Sequence, residues 1–220
     1  MGLLSQPVPD ATIIELTGAG AQGSGNSGEG GAHEDRILAA ALRCVARWGT
    51  TKTTLEDIGR EAGLSRATVY RVFAGKDALM EAVARAEVAS FFRTLDARLG
   101  EAGTLEDLLV CGMTQAGRSF RDHEALQFLL AHEPETIVPH LAFTQMDAVL
   151  RVASLFAAPH LARFVGRETA QRSAEWVVRI ILSYTASPAD GIDVADEVSI
   201  RRLVRSFVLP VLARTEVRSA

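Results

Sequence analysis

A short polar segment, residues 65–71, carries side chains suited to contacts with nucleic acid. If the segment forms one helix, its polar residues lie on the side away from the apolar positions. These polar residues are Ser65, Arg66, Thr68, Tyr70 and Arg71. Hydroxyl and guanidinium groups near the start of a helix can hydrogen-bond to base edges and phosphates when that helix enters the major groove of DNA. The alternative is an ordinary helical hairpin with a solvated polar face.

The elements that position this segment are predicted to be two helices joined by a tight turn. Thr53 and Glu56 have the spacing of a capping box, in which each side chain satisfies a backbone N–H at the other residue. Gly63 ends that first helix, Ser65 caps the second, and Gly75 ends it. Small residues at the crossing allow close packing, and they are Ala62, Gly63 and Ala67. This arrangement is a helix-turn-helix.

The rest of the sequence predicts an all-α protein, because apolar residues from His33 onward recur at helical spacing rather than alternating. Further helices are expected at residues 34–49, 76–99, 104–121, 124–131, 137–157, 168–186 and 195–213. The breaks between them are marked by glycine and proline: Gly103, Pro134, Pro139, Pro159, Gly166 and the segment 187–191.

Three parts are expected along the chain. Residues 1–32 are rich in glycine and form a flexible tail, since they cannot bury enough apolar area to become ordered. Residues 33–80 form a three-helix DNA-binding domain with the helix-turn-helix, and residues 81–220 form a larger helical domain.

The net charge of −4 conceals a local excess of basic residues. Between His33 and Met80 there are eight Lys or Arg and six Asp or Glu, a balance of +2, which leaves −6 for the rest of the chain. The local field matters more than the overall charge for a polyanionic partner. Cys44 and Cys111 stand alone in apolar runs, which favours reduced thiols and a cytoplasmic protein. No run reaches the ~18 apolar residues needed to span a membrane.

The segment TLEDIGREAGLSRATVYRVFAGKDAL, preceded by ILAAALRCVARWG, resembles the N-terminal domain of the TetR family of bacterial transcriptional regulators. The resemblance implies that Thr53 caps a helix and meets a phosphate, and that Tyr70 and Lys76 also contact phosphates. Such contacts set the register without reading the sequence. Our candidates for base-edge readers are Arg66, Thr68 and Arg71; for each, the alternative is a solvated surface side chain. Val45 and Val72 depart from the family pattern, in which larger side chains are common.

TetR-like proteins use the C-terminal part for dimerisation and for sensing a small molecule. Two apolar stripes in this part favour a helical interface, and the predicted interface residues are Val177, Ile181, Tyr184, Ile200, Leu203, Val204, Phe207, Val208 and Val211. Two copies would pair as a four-helix bundle, so the protein is expected to be a homodimer that binds palindromic double-stranded DNA. Alternatively, both stripes face the protein's own core.

Large apolar side chains on the C-terminal helices are candidates for an effector pocket. They are Phe91, Phe92, Met113, Phe120, Phe128, Phe143, Met146, Phe156 and Trp176. This lining favours an apolar or aromatic effector, although core packing is the alternative for each residue. The mechanism that the resemblance implies is release from DNA, because the effector binds better to a conformation whose recognition helices no longer fit both half-sites.

Catalytic and metal-binding motifs are not found in the sequence. The segment HEPET, residues 132–136, lacks the second His of a zinc-protease motif, and Pro134 instead suggests a helix break at the mouth of a pocket. We therefore expect no enzymatic activity, no cofactor, no metal and no membrane partner. The competing function is a helical protein-interaction module without sequence-specific DNA binding.

Overall fold

The computed structural model describes residues 29–141, 146–187 and 190–212, and it divides into two compact units. The first unit holds the described residues of Met1–Ser90 and His123–Val138, and the second those of Phe91–Asp122 and Pro139–Ala220. The helices are α1 (Glu29–Lys52), α2 (Leu55–Ala62), α3 (Arg66–Val72), α4 (Lys76–Gly100), α5 (Leu105–Asp122), α6 (Glu124–His132), α7 (Pro134–Leu141), α8 (Met146–Val165), α9 (Arg167–Ala186) and α10 (Glu197–Leu203). No described residue forms a β-strand, which confirms the all-α fold.

Helix α1 spans Glu29–Lys52 with a kink at Gly49, whereas the predicted range is 34–49. It begins at Glu29, so residues 29–32 are helical although they were expected in the flexible tail, most of which lies outside the described residues. Elongation from an existing turn adds one hydrogen bond per residue, which offsets the poor helix propensity of glycine. At the other end, Gly49 takes the left-handed φ of 77°, so the regular helix stops there, as predicted.

The core of the first unit forms where α1, α2, α3 and the start of α4 meet. Ile37, Ile58, Val69 and Leu79 are fully buried in it. Burial raises the pKa of the Cys44 thiol in the same core, so this thiol stays protonated at neutral pH.

Helix α6 also belongs to the first unit. Its residues Ala125 and Leu129 pack against Val45 of α1, with Met80 of α4 at the edge of this small cluster. The first unit therefore includes residues from the range 81–220, which the sequence analysis assigns to the effector domain.

The predicted helix 137–157 is wrong, because two helices, α7 and α8, occupy this region. Pro134 does separate helices, since it starts α7 directly after α6. Pro159 was expected to break a helix but lies inside α8. A proline within a helix costs ~3 kcal/mol. Its neighbours Phe156 and Leu161 are buried, and their packing outweighs that cost.

The predicted interface stripe near the end of the chain has one buried face and one exposed face. Helix α10 continues into a π-helical turn, Val204–Val208, and the buried face holds Ile200, Leu203, Val204, Val208 and Leu212. Val177 of α9 is buried as well, whereas Ile181 and Tyr184 are half-buried. For the buried residues, the interface prediction is corrected: they pack in the core of their own unit. Phe207 and Val211 lie outside, and Phe207 is 69% exposed.

Helix α5 passes very close to the loop before α10 at Gly117. A Cβ atom on Gly117 would lie 2.6 Å from the carbonyl carbon and 2.9 Å from the Cβ of Val194. Arg118 next to it donates to the carbonyl of Ala195 at 2.9 Å, which fixes the loop against the helix.

We predict that Gly117→Ala lowers the free energy of unfolding by about 1–3 kcal/mol, because the added methyl group meets backbone that cannot move aside easily. Gly112→Ala on the same helix is the matched control, since its Cβ would meet only Leu99 Cδ2 at an ordinary 3.7 Å. There, alanine should stabilise by about 0.5–1 kcal/mol through lower backbone entropy. Urea unfolding measures both; equal effects would contradict the close approach.

Within the described residues, no helix combines the length and apolarity that crossing a bilayer requires.

Candidate nucleic-acid interface

The capping box at the start of α2 is formed by Thr54 and Asp57, one residue later than predicted. The Thr54 Oγ1 accepts a hydrogen bond from the Asp57 N–H at 3.1 Å, and the Thr54 N–H donates to Asp57 Oδ2 at 3.3 Å. The Thr54 hydroxyl also donates to that carboxylate, which lowers the pKa of Asp57. Thr53 is instead 0% exposed, and its hydroxyl donates to the carbonyl of Gly49. The prediction that Thr53 caps the helix is wrong, and its buried hydroxyl is not available to a phosphate.

The turn between α2 and α3 is close to its predicted form. Gly63 takes the left-handed φ of 64° at the end of α2, where a side chain would be strained. Arg36 of α1 donates from Nη2 to the carbonyl of Ala62 at 2.6 Å and so holds the turn against the core. The close crossing depends on Gly59, whose Cβ would lie 3.2 Å from the Leu64 carbonyl oxygen. Ala67 was expected at the crossing but is exposed.

Helix α3 has one buried face and one exposed polar face. Ser65 is its N-cap, as predicted: its hydroxyl accepts from the Thr68 N–H at 3.1 Å and lies 2.9 Å from the Thr68 hydroxyl. Val69 is fully buried and anchors the helix. The exposed residues of α3 are Arg66, Ala67, Tyr70 and Arg71.

Arg66 is held in place by two neighbours. Its guanidinium forms an ion pair with Glu56 of α2 and lies over the Tyr70 ring, 5.2 Å from the ring centre. Such a cation–π contact restricts a long side chain to few orientations. Arg71, one turn further along, is exposed, and within the described ranges no carboxylate pairs with it. The two guanidinium groups therefore differ, because Arg66 must give up a carboxylate before it can bind a base.

Lys76, at the start of α4, reaches back to residues 50–54, which follow the kink at Gly49 and are called here the loop between α1 and α2. Its Nζ donates to the carbonyl of Thr51 at 3.4 Å. The same loop is also bound by the buried Glu133, whose carboxylate accepts from the Thr50 N–H at 2.9 Å and the Thr51 N–H at 3.1 Å. Glu133 lies in the HEPET segment, but its contact with the loop could not be predicted from the sequence. A contact between residues 83 positions apart leaves no local pattern.

The candidate effector residues do not form one group. Met113 and Phe156 are buried, and the Phe156 ring lies 4.6 Å from that of Phe92. Phe128 instead belongs to the first unit, where it stacks on His132 at 4.3 Å. The other candidates differ in burial: Phe91 and Phe120 are half-buried, and Trp176 is 37% exposed. Met146 is the first residue of α8, and Phe143 lies outside the described residues.

The second unit also holds buried polar groups that the sequence does not predict. The His160 ring is tilted against the Phe156 ring with 5.1 Å between their centres, and His160 Nε2 lies 3.1 Å from Asp96 Oδ1. Burial lowers the pKa of His160, although the carboxylate of Asp96 opposes this effect. The hydroxyls of Thr114 and Ser154 are buried and have no hydrogen-bond partner among the described residues. Isolated polar residues on helices carry no sequence signal that separates them from solvated ones.

Helices α2 and α3, with a capped exposed polar face and a buried apolar face, define a helix-turn-helix protein of the DNA-binding class. The sequence profile of "Bacterial regulatory proteins, tetR family" matches residues 37–83. The HTH-type transcriptional regulator MT1294 of Mycobacterium tuberculosis is 30% identical over 181 residues, which cover 81% of this chain and 84% of that protein. The chain therefore belongs to the TetR family and is a DNA-binding transcriptional regulator.

A further relative is similar in sequence, and two solved structures share the fold. The regulator BetI of Brucella suis is 27% identical over 183 residues, covering 78% of this chain and 87% of BetI. The TetR family repressor AlkX of Dietzia sp. strain DQ12-45-1b has the same fold, with a TM-score of 0.58, 21% identity and coverage of 82% of this chain and 95% of AlkX. FadR of Bacillus subtilis, solved with stearoyl-CoA, has a TM-score of 0.51 at 15% identity and covers 79% of this chain and 98% of FadR.

Proposed function

We propose that the protein is a cytoplasmic repressor that binds a palindromic operator as a homodimer and is released by a small, largely apolar effector. The observation that carries this proposal is the exposed polar face of α3, where the side chains of Arg66, Tyr70 and Arg71 are accessible to a partner. We assign base reading to Arg66, Thr68 and Arg71, and phosphate contacts to Tyr70 and Lys76. Ser65 contributes by capping α3, since its hydroxyl is already bonded to Thr68.

The homodimer is supported by the exposed apolar side chains near the end of the chain. Phe207 and Val211, four residues apart in the chain, are 69% and 48% exposed, and neighbouring exposed apolar side chains are typical of an interaction surface. A single seven-residue α3 reaches too few bases to select one site, whereas two copies related by a two-fold axis can read a palindrome. We assign Phe207 and Val211 to the contact between the two copies.

The effector is proposed to bind in the second unit near Phe92, Met113 and Phe156. Their apolar surface suits an acyl chain or an aromatic ring, and the buried hydroxyls of Thr114 and Ser154 offer hydrogen bonds to a polar end. The solved structures support an apolar class of ligand, since FadR was solved with stearoyl-CoA and AlkX is implicated in biodegradation of n-alkanes. Release requires only a difference in affinity between two conformations, so the effector leaves chemically unchanged.

A salt titration of binding to random-sequence duplex DNA tests this function against the protein-interaction alternative. Each phosphate contact contributes about −0.9 to the slope of log affinity against log salt concentration. Arg66, Arg71 and Lys76 supply roughly three cations per protomer to a random-sequence duplex, so a bound dimer should give a slope of about −5. A flat response, or binding too weak to measure at low salt, would favour an interaction module that does not bind DNA.

A further inference from the structure

Glu133, between α6 and α7, is a buried carboxylate that no part of the proposed DNA contact uses directly. It is 8% exposed and lies in the first unit together with α1, α2 and α3. An isolated buried charge is costly unless hydrogen bonds satisfy it. Here the Thr50 N–H, the Thr51 N–H and the Thr50 hydroxyl all donate to this carboxylate. Burial raises the pKa of Glu133, but these hydrogen bonds outweigh burial and leave the pKa below its ordinary value.

The backbone of the loop is shaped to receive this carboxylate. Gly49 ends the regular part of α1 with a φ of 77°, which turns the N–H groups of Thr50 and Thr51 toward Glu133. A Cβ at Gly49 would lie 2.8 Å from Glu133 Cδ and 3.0 Å from Phe128 Cε1. Only glycine allows both the backbone angle and this close approach.

The loop that Glu133 holds leads directly to the side of the protein proposed to meet phosphates. The carbonyl of Thr51 accepts the hydrogen bond from Lys76 Nζ, and the exposed Thr54 caps α2 three residues further along the chain. Lys52 is exposed between them. Any displacement of the carbonyl of Thr51 therefore displaces the lysine that it orients.

We propose that Glu133 is a positioning residue for DNA binding, which fixes the loop between α1 and α2 so that Lys76 and the start of α2 meet the phosphate backbone together. The inference rests on the proposed DNA-binding function. Glu133 itself does not touch DNA, because it is buried and carries the same sign of charge as a phosphate. It acts through the two backbone N–H groups and the hydroxyl that it binds.

Charge provides a clear way to separate positioning from simple electrostatics. Removing a negative charge from a DNA-binding unit should, by itself, strengthen binding to a polyanion. The positioning role predicts that Glu133→Gln weakens binding, since a side-chain amide has one acceptor oxygen and replaces the other oxygen with an NH₂ donor. Glu135→Gln is the matched control, because Glu135 is exposed two residues away and undergoes the same change of charge.

The experiment measures binding of the full chain to a fluorescent random-sequence duplex of roughly 30 base pairs, long enough for two half-sites. Binding is titrated with salt, at a temperature where circular dichroism shows each variant to be folded. Glu133→Gln is expected to weaken binding by about tenfold, and to make the salt slope shallower by about 2, one contact for each of two protomers. Glu135→Gln should bind as tightly as the wild type or slightly more tightly.

Thr50→Val keeps the volume of the side chain and the charge of Glu133 but removes the hydroxyl donor, so it carries the test if Glu133→Gln fails to fold. It should shift affinity and slope in the same direction by a smaller amount. The positioning role would be overturned, and the proposed function left intact, if folded Glu133→Gln had wild-type affinity and salt slope. If Glu133→Gln does not fold, the same result for folded Thr50→Val would overturn it. A wild-type protein without salt-dependent binding would overturn both.

Discussion

Replacing Arg66 with alanine is expected to weaken operator binding by about 2–6 kcal/mol, or roughly 30-fold to 10⁴-fold, and to relax the sequence preference. A bidentate contact between arginine and a guanine discriminates by about 1–3 kcal/mol, and a dimer makes this contact twice. In the free protein Arg66 pairs with Glu56, and losing this ion pair offsets part of the binding free energy that Arg66 contributes. We therefore expect a value at the lower end of this range. Affinity for the operator and for a base-substituted operator, both measured by anisotropy, gives the two quantities.

Arg85→Ala is the matched control for the Arg66 variant. Arg85 is an exposed arginine on α4 that pairs with Glu81 at 2.9 Å, so its loss removes the same charge from the same unit. It should change operator affinity by about threefold or less, and equally for all sequences. If Arg66→Ala behaved like Arg85→Ala, Arg66 would not be a base reader.

Replacing Phe207 with glutamate is expected to raise the dissociation constant of the homodimer by at least about 10³-fold. Truncation of a central aromatic residue at an interface costs about 2 kcal/mol or more, and the two-fold axis doubles the loss. The fold itself should survive, because Phe207 is 69% exposed within one chain. Light scattering across a concentration series measures the change, and operator affinity should fall with it.

Val88→Glu is the control for the Phe207 variant, since it places the same charge at another exposed apolar position, on α4. It should remain dimeric. A Phe207→Glu protein that is still dimeric at the wild-type concentration would place the interface elsewhere, and the exposed α10 end would then need another explanation.

The parts of the fold that local sequence determines were predicted well. Gly63 ends α2 and Ser65 caps α3. Both effects are local, because a left-handed glycine and a capping hydroxyl change the hydrogen bonds of backbone only a few residues away. The capping box slipped by one residue, since the segment TTLED contains two overlapping threonine–acid pairs. The burial of Thr53 against α1 decides between them, and no spacing rule contains that information.

The features that were missed depend on contacts between distant parts of the chain. The stripe from Ile200 to Val211 has an α-helical period in the sequence, but the structure keeps Val204 and Val208 inside and leaves Phe207 outside, in a π-helical turn. Pro159 stays within α8 because its neighbours are buried. Glu133 required knowledge that α6 packs on α1, which only the folded chain provides.

The central claim is that two copies of α3 bind one DNA duplex, and hydroxyl-radical footprinting on genomic fragments selected by the protein tests it most directly. The account predicts two equivalent protected patches related by two-fold sequence symmetry. Their centres should be separated by about one helical turn, ~34 Å, or a multiple of it. Both patches should disappear together when Phe207→Glu replaces the wild type at the same concentration. A single protected patch, or selected fragments without any shared symmetric sequence, would contradict the account.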